Sequence, residues 1–567
     1  MGMISCLSHF ILTLLHYRLA FDTIKYEYEI WQESNMRRFN SYGPIDTDEH
    51  YYAPRKALID NSYTQLIGEN PQKGGHYITV WAPRQTGKTW VMQEILFQLK
   101  NDPRFDVLKI NLEILKDKDD VGEIINVIAR KIGEGLGKKI SGINNQDQFQ
   151  EIFKKDLLDK PLILILDEFD SLAEDAINTI VSAFRNIHIS RMDEKNLLTE
   201  QKTYLLNAVA LIGVRSVLGI ENEKGSPFNV QRSVHIPNLT YEEVEGMFKW
   251  YEQESGQAVD EEVIRTLYDE MRGQPGLTCW FGELLTESYN PDPKKPITMG
   301  NFKKAYAAAT HILPNNNILN IISKVDKPPY NEIVIEFFKT GEKIPFNFDN
   351  KDLNYLYMNG VIAEEKVEGG PEEEDKYYLK FSCPFVQKRI FNYFSDRFFS
   401  YLGQLIPPLD TMADAIDENN LYIPNIIKRY QVYLTKNQGI FFKNVPRRKN
   451  DLRIYEAIYH FNLFRYLYDL LKSWEIEVVP HFPTGNGKID LILKYKEKIY
   501  ALELKSFKNM NTHEKGIEQA AEYGRQMGLK EVAYLVFIEL TPAEAKQLEK
   551  TVEKNGVNVM VLPIGIL

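Results

Sequence analysis

Two clusters of residues in this sequence have the types and spacing that phosphate chemistry requires. The first is Ala82-Pro83-Arg84-Gln85-Thr86-Gly87-Lys88-Thr89, which has P-loop spacing with Ala82 in place of the first glycine. Successive N–H groups of Thr86 to Thr89, at the start of a helix, can wrap a β-phosphate, with Arg84, Gln85 and Gly87 completing the cradle. Lys88 is then the cation for β- and γ-oxygens, and the Thr89 hydroxyl can ligate Mg²⁺. The partner motif is Leu162-Ile163-Leu164-Ile165-Leu166-Asp167-Glu168, an apolar strand with two carboxylates at its C-terminal end. Asp167 is placed to hold Mg²⁺ through water, and Glu168 to activate an attacking water. Either motif alone is common; in this order and in these elements they imply ATP and Mg²⁺ as cofactors. Arg215, directly after the strand ending at Val214, is placed to sense a γ-phosphate. Arg215 is equally readable as a surface residue; Arg185 and Arg191 could reach a neighbouring subunit as fingers, but for them the surface reading is favoured.

The second cluster is Asp490, Glu503 and Lys505. Alternation along Ile499-Tyr500-Ala501-Leu502-Glu503-Leu504-Lys505 puts Glu503 and Lys505 on one face, away from Leu502 and Leu504. A turn at Lys496-Glu497-Lys498 lets the strand Gly487 to Leu493 pair as a hairpin, which brings Asp490 to that face. Two carboxylates and a lysine on one edge suit metal-dependent phosphodiester hydrolysis. Asp490 and Glu503 would hold Mg²⁺, or Mn²⁺, which polarises phosphate and acidifies a bound water, and Lys505 would orient or deprotonate that water. The same alternation also describes the solvated face of a half-exposed strand.

The elements that must position these residues follow from periodicity. His76 to Ala82 reads as a buried strand, and Lys88 to Lys100 as a helix with Val91, Ile95, Leu96 and Leu99 on one face. Strands over Phe105 to Leu112, Leu162 to Leu166 and Leu205 to Val214, with helices over 121–136 and 171–188, predict a mostly parallel sheet covered on both faces. Beyond Asn238 the pattern turns helical through Tyr241 to Ser255 and Asp260 to Met271 and ends in Arg272-Gly273-Gln274-Pro275-Gly276, a helical lid. Short helices, then Leu353 to Asn359, an acidic loop over 364–375 and a strand from Tyr377 to Phe381 are the wording of a winged helix. Helices continue to about 440, and a second α/β segment follows.

Both clusters carry resemblances. Tyr52-Ala53-Pro54-Arg55, the P-loop, Asp167-Glu168-Phe169-Asp170, Ser226-Pro227-Phe228-Asn229 and Gly273-Gln274-Pro275-Gly276 together resemble prokaryotic AAA-like ATPases related to origin-recognition and STAND proteins, over about residues 40–400. That resemblance implies nucleotide contacts from Arg55 and from the lid near Pro275, and a winged helix after the lid. Asp490, Glu503 and Lys505 resemble the PD-(D/E)XK nuclease core, with Ile489 where its proline would be. By the same resemblance Glu456 is the acid on the preceding helix, and Gln519 and Tyr523 face the site from the following one.

Bulk composition bounds these readings. A chain of 567 residues, 44% apolar and 26% charged, is ordinary globular protein with more than one core. A net charge of −11 excludes coating nucleic acid by bulk electrostatics, so DNA contact must be local, with Arg447-Arg448-Lys449, Lys505, Lys508 and Lys515 as a phosphate track. Three scattered cysteines exclude a disulfide framework or zinc ribbon and fit a reducing cytoplasm. Met3 to Leu19 is apolar but short, broken by two histidines and Arg18, so no stable membrane association is expected, and residues 1–35 read as an upstream start-site artefact before Met36.

The expected architecture is therefore α/β: an N-terminal extension (1–39), a P-loop core (40–238), a helical lid (239–312), a winged helix (313–400), a helical linker (401–446) and a restriction-endonuclease-like domain (447–567). The expected function is ATP hydrolysis with metal-dependent DNA cleavage under ATP regulation, in DNA processing or defence, by a homo-oligomer. Its alternative is a nucleotide-dependent switch whose C-terminal domain binds nucleic acid or protein without cutting.

Overall fold

The run Leu162 to Leu166 lacks the alternation of a half-exposed strand because both of its faces are covered. This is seen in a computed structural model that describes residues 36–213, 232–338, 344–370, 374–400, 402–406, 410–443, 445–448, 451–484 and 487–567. The expectations for residues 1–35, Arg215, the 226–229 motif and Lys449 lie outside the described residues. The chain divides into two units between Tyr306 and Ala307.

The first unit runs α1 (Lys56–Ile67), β1 (Tyr77–Trp81), α2 (Lys88–Lys100), β2 (Asp106–Asn111), α3 (Val121–Gly135), β3 (Leu162–Asp167), α4 (Glu174–Asp193), β4 (Leu206–Gly213) and β5 (Arg232–His235). Its sheet has the order β2-β3-β4-β1-β5 and every pairing is parallel. Leu162, Leu164 and Leu166 pack with Ile124, Ile128 and Phe184 of α3 and α4. Ile163 and Ile165, pointing the other way, pack with Val91 and Ile95 of α2 and Ile59 of α1. The helix expected from 171 begins instead at Glu174, after a 3₁₀ turn over Phe169–Ser171, and continues to Asp193.

The helical segment expected as a lid follows as α5 (Tyr241–Ser255), α6 (Glu261–Met271), α7 (Pro275–Glu283), a π turn (Leu284–Ser288) and α8 (Met299–His311). Thr240 and Glu243 cap α5 reciprocally, and Gly256, at φ 70°, ends it. The extended segment 36–54 packs on this lid, with the Phe39 ring 4.8 Å from Phe248 and 5.2 Å from Tyr51.

In the second unit, α9 (Asn316–Val325), α10 (Tyr330–Phe337) and α11 (Lys351–Met358) precede an antiparallel pair, β6 (Ile362–Val367) and β7 (Lys376–Phe381). Then come α12 (Pro384–Phe398), α13 (Ile423–Phe441) and α14 (Glu456–Leu471). The α/β segment is β8 (Glu477–Thr484), β9 (Gly487–Tyr495), β10 (Lys498–Ser506), α15 (Met510–Gln526), β11 (Glu531–Ile538), β12 (Lys550–Lys554) and β13 (Val557–Gly565). Its six strands lie in the order β12-β13-β11-β10-β9-β8, mixed in direction. The alternative of a half-exposed β10 does not hold: Ala501 to Leu504 are all buried, because α15 covers the face that carries Glu503. Among the described residues, no helix is long and apolar enough to cross a membrane.

Candidate functional site

The phosphate cradle is the turn between β1 and α2. Gln85 and Gly87 take left-handed φ values of 56° and 87°, which aligns the following amides with the start of α2. The Ala82 methyl, where the P-loop pattern has glycine, is fully buried in the core between α1, α2 and the sheet, so the fold absorbs it. Thr86 Oγ1 donates to the Pro83 carbonyl at 2.8 Å, bracing the turn from inside. The Lys88 ammonium donates to the carbonyls of Ala82 and Pro83, both at 2.8 Å. Burial pushes its pKa down to about 8, against the pull of Glu168, Asp170 and Asp167. The Thr89 hydroxyl lies on an exposed residue at the mouth of the cradle.

Asp167 ends β3 and is buried. Its Oδ1 accepts the Glu168 amide at 3.1 Å, and its Oδ2 lies 2.9 Å from Lys109 Nζ of β2. Glu168 is half-buried in a left-handed conformation, φ 56°, a strained geometry for a residue with a side chain. Burial raises its carboxyl above the ordinary value, Asp170 and Asp167 add to the rise, and Lys88 and Arg84 oppose it. A carboxyl poised in this way suits a general base. Asp170 lies against Gly213 at the end of β4, where a Cβ would sit 2.7 Å from Asp170 Oδ1.

The lid reaches this turn directly. Gln274 Nε2 donates to the carbonyls of Arg84 and Gln85, both at 3.2 Å, and the Gly276 amide donates to the Gln85 carbonyl at 3.1 Å. Pro275, the first residue of α7, is thereby held at the cradle. Arg55 instead ties the N-terminal segment to the start of the lid, through the carbonyls of Pro237 and Asn238 at 2.9 and 3.2 Å and Glu243 at 3.3 Å. Arg191 is corrected from a candidate finger: it is buried within its own unit, donating to Thr199 Oγ1 at 2.6 Å, Asn207 Oδ1 at 3.0 Å and the Tyr204 carbonyl.

The second cluster forms where a ladder stops. Pairing of β9 with β10 ends at Leu491–Leu502, and the Asp490 carboxylate takes the Leu504 amide at 2.7 Å. Glu503 is fully buried, with Lys505 Nζ 2.9 Å from its Oε1. Glu456, the first residue of α14, accepts the Ser506 amide at 2.7 Å. Burial raises both Asp490 and Glu503; Glu503 adds to the rise at Asp490, and Lys505 opposes it at both. Burial lowers Lys505, yet Glu503, Asp490 and Glu456 together hold its pKa above the ordinary lysine range. It is thus a cation here, suited to orient water more than to deprotonate it. Gln519 donates to the Tyr523 hydroxyl one turn away on α15.

Sequence reasoning missed Lys109 at the cradle and gave Asp170 and Gln274 no role beyond their places in the quoted motifs. At the acid cluster it missed Tyr534, which stands beside Glu503 in the β10–β11 register. Lys505, Glu456, Glu503 and Asp490 all act on the Tyr534 phenol, whose pKa burial raises first. Gly516 gives it room, since a Cβ there would lie 2.9 Å from Tyr534 Cζ. Among the described residues no group of three or more His, Cys, Asp and Glu side chains has the arrangement of a metal site. Asp490 Oδ1 and Glu503 Oε2 are nonetheless buried without a hydrogen-bond partner among the described residues. Orphaned carboxylate oxygens fit a cation that takes the rest of its shell from main chain, water and phosphate.

A family model described as an AAA-like domain matches residues 40–281. No curated protein matches the chain. Among solved structures, the chain is similar to a Walker-type ATPase of Pyrococcus abyssi, at 14% identity and a TM-score of 0.40 over 62% of this chain and 99% of that one. It is also similar to the ORC1 protein of Aeropyrum pernix in complex with DNA, at 14% identity and a TM-score of 0.32 over 60% and 92%. For Cdc6p of Pyrobaculum aerophilum the identity is 14% and the TM-score 0.33, over 61% and 95%. Residues 40–281 are an AAA-like domain built on a parallel five-stranded sheet.

Proposed function

We propose that the chain binds and hydrolyses ATP with Mg²⁺ in its AAA-like domain and cleaves DNA with a divalent cation in its C-terminal α/β segment. For the first activity the support is the cradle itself. Lys88 and the amides of Thr86 to Thr89 would hold the phosphates, Thr89 and Asp167 would hold Mg²⁺, and Glu168 would take a proton from the attacking water. Bound Mg²⁺ would neutralise phosphate charge. Arg84 and Pro275 are assigned to the nucleotide site by their places at the cradle, Arg55 by the family resemblance, and Arg215 by the sequence alone.

The observation that carries the nuclease reading is the buried carboxylates Asp490 and Glu503, with the half-buried Lys505 and Glu456 beside them at the end of a strand ladder, and two carboxylate oxygens unpartnered among the described residues. Further support is the element order α14-β8-β9-β10-α15-β11, the order of a PD-(D/E)XK core. The bound cation would polarise the phosphodiester. Asp490 and Glu503 would hold it, Lys505 would orient water, and Gln519 is assigned to the positioning of substrate from α15. The helices α9 to α11 with the β6–β7 pair support a winged helix. The experiment is plasmid nicking with Mg²⁺, Mn²⁺ or chelator. Nicking with either metal and none with chelator is expected; intact plasmid under all conditions would contradict it. One observation favours a non-cutting domain: the Lys505–Glu503 pair at 2.9 Å can also be a self-contained ion pair.

A further inference from the structure

The nucleotide site holds one basic residue that its spacing motifs do not include. Lys109 sits on β2 opposite Ile165, with Asn111 opposite Asp167. Its side chain leans toward the C-terminal end of the sheet, is 20% exposed, and places Nζ 2.9 Å from the 6%-exposed Asp167 carboxylate. With the Glu168 amide on Oδ1, both oxygens of Asp167 are engaged. A carboxylate this deeply buried needs a compensating charge, and here an ammonium supplies it.

We propose that Lys109 is an internal competitor for the divalent cation, a positioning residue that occupies Asp167 whenever Mg²⁺ is not bound. This rests on the nucleotide-binding reading above. Mg²⁺ held through water at Asp167 must meet or displace the ammonium on the same carboxylate. If Lys109 stays, like charges repel; if it leaves, the ion pair is lost. Both routes raise the Mg²⁺ concentration needed for tight nucleotide binding. The device makes nucleotide occupancy sensitive to free Mg²⁺ while keeping Asp167 paired in its absence.

The test is a Mg²⁺ titration of the full chain with a fluorescent ADP analogue, read as anisotropy, for wild type, Lys109→Met, Lys109→Gln and Lys109→Arg. Thermal unfolding without metal or nucleotide is measured alongside. For Lys109→Met the half-saturating Mg²⁺ should fall about fivefold, and the metal-free protein should unfold at lower temperature. Lys109→Gln, which can still donate a neutral hydrogen bond to Asp167, should show the same Mg²⁺ shift and keeps the test open if the methionine variant does not fold. Lys109→Arg should behave as wild type. Equal Mg²⁺ midpoints for wild type and the neutral variants would overturn the role of Lys109. Absence of nucleotide binding by wild type at every Mg²⁺ concentration would instead overturn the nucleotide reading itself.

Discussion

At the residue scale, Lys88 and Glu168 divide binding from chemistry. Lys88 is the ammonium bonded into the cradle, so Lys88→Ala should weaken ATP binding about 100-fold or more. Glu168→Gln preserves Asp167 and removes only the base, so it should keep ATP affinity and lose steady-state hydrolysis. Isothermal titration and phosphate release check the pair; equal ATP affinity for wild type and Lys88→Ala would contradict the cradle assignment. Which residues were legible follows from geometry. Gly87, Lys88, Thr89, Asp167 and Glu168 lie in short contiguous motifs, and Asp490 meets Glu503 across one hairpin turn. Lys109 and Tyr534 were not legible, because each reaches its site through the register of strands far apart in sequence. Glu503 was readable as a solvated residue, since alternation alone does not say that a helix covers that face.

At the element scale, the lid docks on the cradle by a close approach that requires glycine. A Cβ at Gly276 would lie 2.8 Å from Gln85 Cβ, so Gly276→Ala should push α7 off the loop. A cost of about 1–3 kcal/mol in stability is expected, with weaker nucleotide binding; denaturant midpoints and the same titration read both, and unchanged values would show that the lid does not rest on Gln85. The π turn after α7 offers a pH prediction. Burial, with Glu283 nearby, raises the Glu287 carboxyl from 4.5 to about 7. The folded chain therefore keeps a proton that the unfolded chain has released, and stability is lost as pH rises from 4.5 through 7. A rise of this size is worth about 3 kcal/mol. Glu287→Gln should thus be more stable than wild type at about pH 8 and similar at the lower end of that window. A stability difference that does not change with pH would contradict this. The lid helices were legible because caps and 3.6-residue periodicity are local, as at Thr240, Glu243 and Gly256. Strands β5 and β12 escaped notice because they are short and mostly exposed, leaving no apolar pattern to read.

At the scale of the whole molecule, the phosphate cradle lies in one unit and the acid cluster in the other, and the chain carries a net charge of −11. In the proposed DNA-cleaving reading, contact rests on local cations such as Arg447 and Arg448, so binding should fall steeply with salt. If ATP changes DNA affinity, DNA must change ATP affinity by the same factor. In the proposed reading two phosphate chemistries at separate sites share this chain, and one crossed experiment tests it most directly. Plasmid nicking and ATP hydrolysis are measured on single preparations of wild type, Lys88→Ala and Asp490→Ala at fixed salt. Asp490→Ala should lose nicking and keep ATP hydrolysis within about twofold, because the two sites belong to separate units and share no described residue, while Lys88→Ala should lose hydrolysis. Nicking that persists at wild-type rate in Asp490→Ala would contradict the account.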